Sequence, residues 1–181
     1  IQFDKTSEVA EAGYYSVTLD DGTQIEATAG DRVGILRIKF PEGGNPGIMV
    51  DLNFRDRVLE KSLEASGIGK WQGRRISEGW AREQHFYFGF DITARPDTAI
   101  EISDGVFWIP MPEGTRETTV RIGMSGTSEK GAWTNIGAEL TNHDFESLRK
   151  ETVAKWEVEL SKSKVKSTNK DQRSIYATAL Y

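Results

Sequence analysis

The sequence predicts a mainly β protein: an antiparallel β-sandwich with helices at its C-terminal end. Three observations predict this fold. Short segments that alternate apolar and polar residues follow one another to residue 125, separated by turns rich in glycine and proline. Beyond residue 128 the apolar spacing changes to three and four residues, which is typical of helices. The 181 residues include 18 glycines and 10% aromatic residues, a composition that favours strands joined by tight turns around one core.

The predicted strands are justified by their period of two residues and by the turns between them. Asp20-Asp21-Gly22 predicts a hairpin, because glycine tolerates the positive φ that such turns require. The segment at 48–52 is apolar throughout and predicts a buried strand. Phe86, Phe88, Phe90 and Ile92 share one face of a long aromatic strand. Strands are predicted at residues 13–19, 24–29, 32–40, 48–52, 85–92, 99–102, 106–109 and 118–124.

Helical spacing predicts three helices after the strands. Glu129–Leu140 is the first, although two glycines weaken it. Asp144 is the expected N-cap of the second helix, which carries on one side Phe145, Leu148, Thr152, Trp156 and Leu160. Residues 165–170 are polar and predict a linker. Residues 171–181 restart a helical pattern whose apolar Ile175, Ala179 and Leu180 are expected to pack against a further part of the protein.

Composition excludes several function classes. The net charge is −5 with lysines and arginines scattered, so the concentrated basic face that binds nucleic acid is not expected. The chain has no cysteine, which excludes disulfides and thiol nucleophiles. No apolar run approaches the roughly 20 residues that span a bilayer. Because the chain begins at Ile1 without an initiator methionine, we expect it to be a piece of a longer protein.

Few residues form a motif associated with catalysis or metal binding. The two histidines, His85 and His143, lack the neighbouring ligands of a metal motif, so a structural or surface role is favoured. Among many carboxylates, Glu78, Glu83 and Asp91 flank the aromatic strand and are the strongest candidates for acid–base work. Solvated or ion-paired roles are favoured even for these three.

Trp80 and Arg75 are the candidate substrate-binding residues. An indole presents a flat apolar face that can stack on a sugar ring, and a guanidinium presents forked donors to hydroxyl groups. The alternative is that Trp80 fills the sandwich core while Arg74 and Arg75 are paired at the surface. Core packing is the favoured interpretation, because aromatic side chains dominate core energetics. The same interpretation applies to the other tryptophans, Trp71, Trp108, Trp133 and Trp156.

Several segments resemble the conserved motifs of one known enzyme family. Glu11-Ala12-Gly13-Tyr14-Tyr15-Ser16-Val17 resembles the strand motif E-x-G-Y-Y-x-V. The segment from Gly73 to Ala81 is similar to G-x-R-x-S-x-G-W-A, and Ile175-Tyr176-Ala177-Thr178-Ala179-Leu180-Tyr181 is similar to F-Y-T-A-L-Y. These are motifs of glycoside hydrolase family 92, the calcium-dependent exo-α-mannosidases, and the resemblance is collinear over nearly the whole chain. It implies part of an N-terminal β-sandwich of the mutarotase-like supersandwich type.

The resemblance also implies what the rest of the protein does. Residues 1–164 would form the sandwich with its helical extension, and residues 165–181 the linker and first helix of a helical-barrel catalytic domain. The partners implied are that domain and a mannose-containing glycan, cut with inversion, most simply at α-1,2 linkages. The acid, the base and most calcium ligands are expected beyond Tyr181, so no catalytic or metal residue is assigned in this chain. A periplasmic, cell-surface or secreted bacterial location is implied.

Two other functions stay open from the residues alone. One is a stand-alone carbohydrate-binding β-sandwich, which needs exposed aromatic residues and predicts mannoside binding without another domain. The other is a purely structural module, which predicts no ligand. The apolar residues of the last helix favour the supporting domain of a larger enzyme, because a self-contained module should not leave them without a partner.

Overall fold

A computed structural model describes residues 2–180 and shows eleven strands followed by three α-helices. A short 3₁₀ helix at Lys5–Ser7 precedes the first strand. The strands are β1 Val9–Glu11, β2 Tyr14–Thr18, β3 Gln24–Ala29, β4 Val33–Lys39, β5 Gly47–Asp51, β6 Arg57–Gly67, β7 Lys70–Glu78, β8 Gln84–Ile92, β9 Ile100–Ser103, β10 Val106–Pro110 and β11 Glu117–Ser125. The helices are α1 Glu129–Leu140, α2 Phe145–Leu160 and α3 Lys170–Leu180. The predicted last residue of α3, Tyr181, lies outside the described residues.

The strands form two antiparallel sheets, as the period of two predicted. The large sheet has eight strands in the order β1-β2-β3-β4-β11-β8-β7-β6, and the small sheet has the order β5-β10-β9. The main core lies between the sheets. There Trp71 and Phe90 are cross-strand partners whose rings stack with centroids 5.8 Å apart, and Ile109 of the small sheet is completely buried against them. The sandwich is therefore closed by apolar burial from both sheets.

The opposite face of the large sheet carries α1 and α2. Val33 and Ile35 of β4 pack there against Ile136 and Leu140 of α1, with Phe145 and Leu148 of α2 completing the second core. The molecule thus has three layers, with the large sheet in the middle. Within the described part of the chain, none of the helices combines the length and hydrophobicity that crossing a lipid bilayer requires.

The structure corrects two expectations about the strands. The segment at 48–52 is not a fully buried strand: β5 is the edge of the small sheet, and its Met49 is exposed. The stretch after residue 52, which the sequence pattern left unassigned, contains β6, the longest strand, and leads into β7. β6 is an edge strand with polar side chains on both faces, so it has no apolar alternation to reveal it.

Candidate functional site

The turn that joins β7 to β8 carries Trp80, whose side chain is fully exposed at 103% relative accessibility. This contradicts the favoured interpretation that Trp80 fills the core. Core packing is confirmed instead for Trp71, which is 2% exposed. The two tryptophans differ because β7 places Trp71 between the sheets, whereas residues 79–83 leave the sheet altogether.

Hydrogen bonds hold the backbone of this Trp80 turn in place. The N–H of Gly79 donates to the carbonyl of Ala81 over 3.1 Å. With its amide assigned in the orientation that satisfies both its oxygen and its nitrogen, the Gln84 side-chain oxygen accepts hydrogen bonds from the N–H groups of Trp80 (2.7 Å) and Ala81 (3.1 Å). A large apolar side chain is thus presented to solvent on a braced turn, which is the arrangement of a pre-organised contact surface.

Arg75 braces the loop that lies beside this turn. Its guanidinium donates to the carbonyl oxygens of Leu52 and Phe54, each over 2.9 Å, and to the hydroxyl of Ser77 over 3.0 Å. A further contact of 3.9 Å joins it to the carboxylate of Asp56. Because most of its donors are used by protein groups, Arg75 acts here as a clamp for residues 52–56.

The two loops contact each other and expose a second aromatic side chain. The carboxylate of Asp56 lies 3.2–3.4 Å from where a side chain on Gly79 would begin. Phe54 is 66% exposed, and the guanidinium of Arg55 lies 5.2 Å from its ring centre. Arg55 has a φ of 68°, which is strained for a residue with a side chain. The Trp80 turn and the loop 52–56 together form the candidate site.

This site can make stacking contacts and contains no catalytic constellation. Flat apolar faces next to a cationic group suit a sugar ring, whose C–H face packs on aromatic carbon while its hydroxyls find polar partners. Sequence reasoning identified Trp80 and Arg75 but missed Phe54, Arg55 and Gln84. The only sequence signal for Phe54 was that it is a single aromatic residue within a polar stretch.

Arg74 and Arg75 are adjacent in sequence, but their side chains lie on opposite faces of β7. Arg74 hydrogen-bonds Glu60 of β6 and lies 3.9 Å from Glu129 of α1, on the helical side of the sheet. The carboxylate of Glu60 raises the pKa of Arg74 through this hydrogen bond. Only Arg75 therefore belongs to the candidate site.

The three candidate carboxylates are not brought together. Glu78 pairs with Arg57 at 2.7 Å and Glu83 lies 3.3 Å from the ring of His85. Asp91 accepts two hydrogen bonds from Arg121, at 2.9 and 2.6 Å. Glu78 and Asp91 are ion-paired and Glu83 is an exposed carboxylate beside His85, which agrees with the favoured interpretation of solvated or ion-paired roles.

The side chains of residues 2–180 offer no cluster of carboxylates of the kind that calcium prefers. His143 pairs with Glu151 at 2.9 Å, so both histidines have glutamate neighbours at the surface. Within residues 2–180, no group of three or more histidine, aspartate or glutamate side chains is arranged to hold a metal ion.

Comparison with known proteins identifies the family. A model described as the glycosyl hydrolase family 92 N-terminal domain matches residues 1–139, and the model of that family's catalytic domain matches residues 131–181. A search of curated proteins gives no significant match.

Solved structures agree with the family models. The family GH92 α-mannosidase BT3965 from Bacteroides thetaiotaomicron superposes with a TM-score of 0.78 and 26% identity, over 91% of this chain and 26% of that one. The family GH92 inverting mannosidase BT2199 from the same species superposes with a TM-score of 0.75 over 92% of this chain and 25% of that one; its 19% identity shows the fold alone. The chain thus spans about a quarter of these proteins. Since the N-terminal family model matches most of its length, the chain belongs to glycosyl hydrolase family 92.

Proposed function

We propose that this chain is the front domain of a calcium-dependent exo-α-mannosidase that releases terminal mannose from glycans with inversion, most simply from α-1,2 linkages. The observation that carries the proposal is the match to both family models, supported by the superposition on an α-mannosidase at 26% identity. In this proposal the sandwich supports a helical catalytic domain, whose family model matches residues 131–181.

The Trp80 turn forms one wall of the sugar pocket in this proposal. Trp80 supplies the stacking face, and Arg75 is a positioning residue that keeps the loop 52–56 against the turn. Inverting glycosidases place an acid and a base about 6.5–9.5 Å apart, so that water enters opposite the leaving group. We assign both carboxyl groups, and the ligands of the calcium ion, to the catalytic domain. The roles proposed for this chain do not involve the ion.

A periplasmic, cell-surface or secreted location in a bacterium is part of the proposal, because it is where an enzyme would meet such glycans. The family resemblance supports it. Fractionation of the producing cells tests it, and recovery of the protein with the cytoplasmic fraction would contradict it.

Mannose release tests the proposed activity. The product of the complete reading frame is incubated with α-1,2-mannobiose and calcium, in parallel with the 181-residue chain. We expect turnover from the former and none from the latter. Turnover by the 181-residue chain, or none by the complete product on any α-mannoside, would overturn the proposal.

If the complete product releases no mannose, the alternative of a stand-alone carbohydrate-binding module is left. Full exposure of Trp80 is the observation that favours this alternative. Calorimetric titration of the 181-residue chain with methyl α-mannoside would then show saturable binding that Trp80→Ala abolishes.

The role of Trp80 is tested in the complete product. Trp80→Ala is expected to lower kcat/KM about tenfold, a loss in line with that of one aromatic stacking contact. The matched control is Ile68→Ala, since Ile68 is also exposed but lies in the turn at the other end of β7. The control should leave kcat/KM unchanged. Equal losses in both variants would contradict a role for Trp80 in the pocket.

A further inference from the structure

A cleft lies at the end of β5 that is remote from the candidate site. It encloses about 530 Å³ between the Gly47 end of the small sheet and strands β3 and β4 of the large sheet. The loop 52–56 follows the opposite end of β5, so the cleft and the candidate site are separated by the length of that strand. Phe40 and Trp108 are the large aromatic residues of its wall.

Trp108 forms a flat platform in this cleft. Its neighbours along β10, Phe107 and Ile109, pack into the core, so Trp108 points away from the core. The six-membered ring of its indole lies directly on Gly47: the position of a β-carbon at Gly47 would be 2.1–2.5 Å from ring atoms. Only glycine leaves room for the indole in this position. The exposed side chain of Met49, the direct cross-strand partner of Trp108, borders it.

Polar groups that can bind hydroxyls line the same cleft. Asp21 and Asn45 are both exposed and come from the two loops that frame the opening. One Asp21 oxygen accepts a hydrogen bond from the N–H of Thr23 over 2.8 Å, which lowers the pKa of the carboxyl group and fixes its orientation. Pro41 and Pro46 bracket the second loop and restrict its backbone.

We propose that this cleft is a second carbohydrate site that binds one pyranose unit of a glycan, with the sugar stacked on Trp108 and its hydroxyls bound by Asp21 and Asn45. An aromatic platform next to a carboxylate and an amide has the chemistry that a pyranose requires, since one face of the ring is apolar and its edge carries donors and acceptors. The inference rests on the proposed function for its choice of glycan. Binding at the cleft would hold a branch of the substrate away from the pocket.

Indole N–H resonances test the proposal directly. The chain has five tryptophans, so the nitrogen–proton spectrum of the 181-residue chain holds five indole signals, each assigned by a Trp→Phe variant. Titration with α-1,2-mannobiose is expected to shift the Trp108 signal with saturation. Trp108→Ala is expected to weaken the affinity, measured by calorimetry, about tenfold. Asn45→Ala, an exposed loop change that leaves the sheet intact, should also weaken it.

Three results would overturn the inference. The first is a saturable shift of the Trp80 signal with none of the Trp108 signal. The second is that no indole signal shifts up to the solubility limit of the sugar. The third applies if Trp108→Ala does not fold, and it is an unchanged affinity of Asn45→Ala for the sugar. None of these depends on mannose release. Failure of the second site and failure of the mannosidase proposal are therefore separate results.

Discussion

Gly89 of β8 and Gly123 of β11 are cross-strand partners. They lie in the part of the large sheet against which α1 packs. A β-carbon at Gly89 would be 2.9 Å from the indole of Trp133, and one at Gly123 would be 2.4 Å from the carbonyl oxygen of Ala132. Trp133 is fixed in turn by a 2.9 Å hydrogen bond from its indole nitrogen to Gln72. A glycine inside a strand pattern signals such a close approach, but it does not say what approaches.

Gly123→Ala is expected to destabilise the protein by about 1–3 kcal/mol, because the backbone of α1 must move away from the sheet. The free energy of unfolding in urea measures this. Gly126→Ala is the matched control: no atom lies within 4 Å of the added carbon there, so stability should change by less than about 0.5 kcal/mol. Equal stability of the two variants would show that α1 does not rest on this glycine.

Arg37 joins the large sheet to α2 through several contacts. Its guanidinium makes two hydrogen bonds to Glu26, at 2.7 and 2.9 Å, and one to Glu146 of α2 at 2.9 Å, while lying 4.4 Å from the ring centre of Phe145. The hydroxyl of Tyr14 donates to the same Glu26 carboxylate over 2.9 Å. The hydrogen bonds from Arg37, and then that from Tyr14, lower the pKa of Glu26.

This contact predicts a pH dependence of stability. Because the pKa of Glu26 is lower in the folded than in the unfolded protein, its stabilising contribution is complete above the unfolded value and is lost as the pH falls through the folded value. Glu26→Gln is expected to cost about 1–3 kcal/mol at neutral pH, and this difference should shrink in acid. Urea unfolding of both proteins over a pH series measures the difference. A difference that stays constant with pH would contradict the assignment.

At the scale of elements, α2 begins where its capping residues predict. The Asp144 carboxylate accepts a hydrogen bond from the N–H of Ser147 over 2.8 Å, and the hydroxyl of Ser147 accepts one from the N–H of Asp144 over 2.9 Å. This reciprocal pair is a capping box, and it satisfies two backbone donors. The predicted bounds of α1 are likewise confirmed, with Ser128 as its N-cap.

Asp144→Ala is expected to lower the free energy of unfolding by about 1 kcal/mol, because the first turn of α2 loses an acceptor. Asp144→Asn keeps an acceptor of the same reach and should lie within a few tenths of a kcal/mol of the unchanged protein. Thermal or urea unfolding of the three proteins makes the comparison. A large loss of stability in Asp144→Asn would show that the negative charge at the start of the helix, and not the hydrogen bond, is the stabilising feature.

At the scale of the whole molecule, two sheets and two helices share buried cores, but α3 does not. None of the residues from Lys170 to Leu180 is buried, and Ile175 is 69% exposed. Isolated helices of this length are marginal in water. The apolar spacing correctly predicted a helix here, and the packing partner that it implies is assigned to the catalytic domain of the proposed enzyme.

Hydrogen exchange is expected to divide the 181-residue chain at the linker after α2. Amides of α3 should exchange at rates near those of an unfolded peptide, because none of the residues from Lys170 to Leu180 is buried. Amides of β8 and β11, which lie in the middle of the large sheet, should be the most protected. Mass-spectrometric exchange of peptides from both regions measures this. Equal protection in α3 and β8 would overturn this division.

Local pattern was enough to place most strands, the hairpin turn at residues 20–22 and all three helices, since the period of apolar residues and the capping residues act over a few positions of the chain. It was not enough for β6, whose strand exists because β7 supplies its hydrogen-bonding partner. It also could not separate Trp71 from Trp80, nine residues apart. Which of them is buried depends on where β7 leaves the sheet, and that is set by pairing with strands distant in sequence. The candidate site likewise exists only because Arg75 holds the loop 52–56 beside the turn at 79–83, a contact between segments some twenty residues apart.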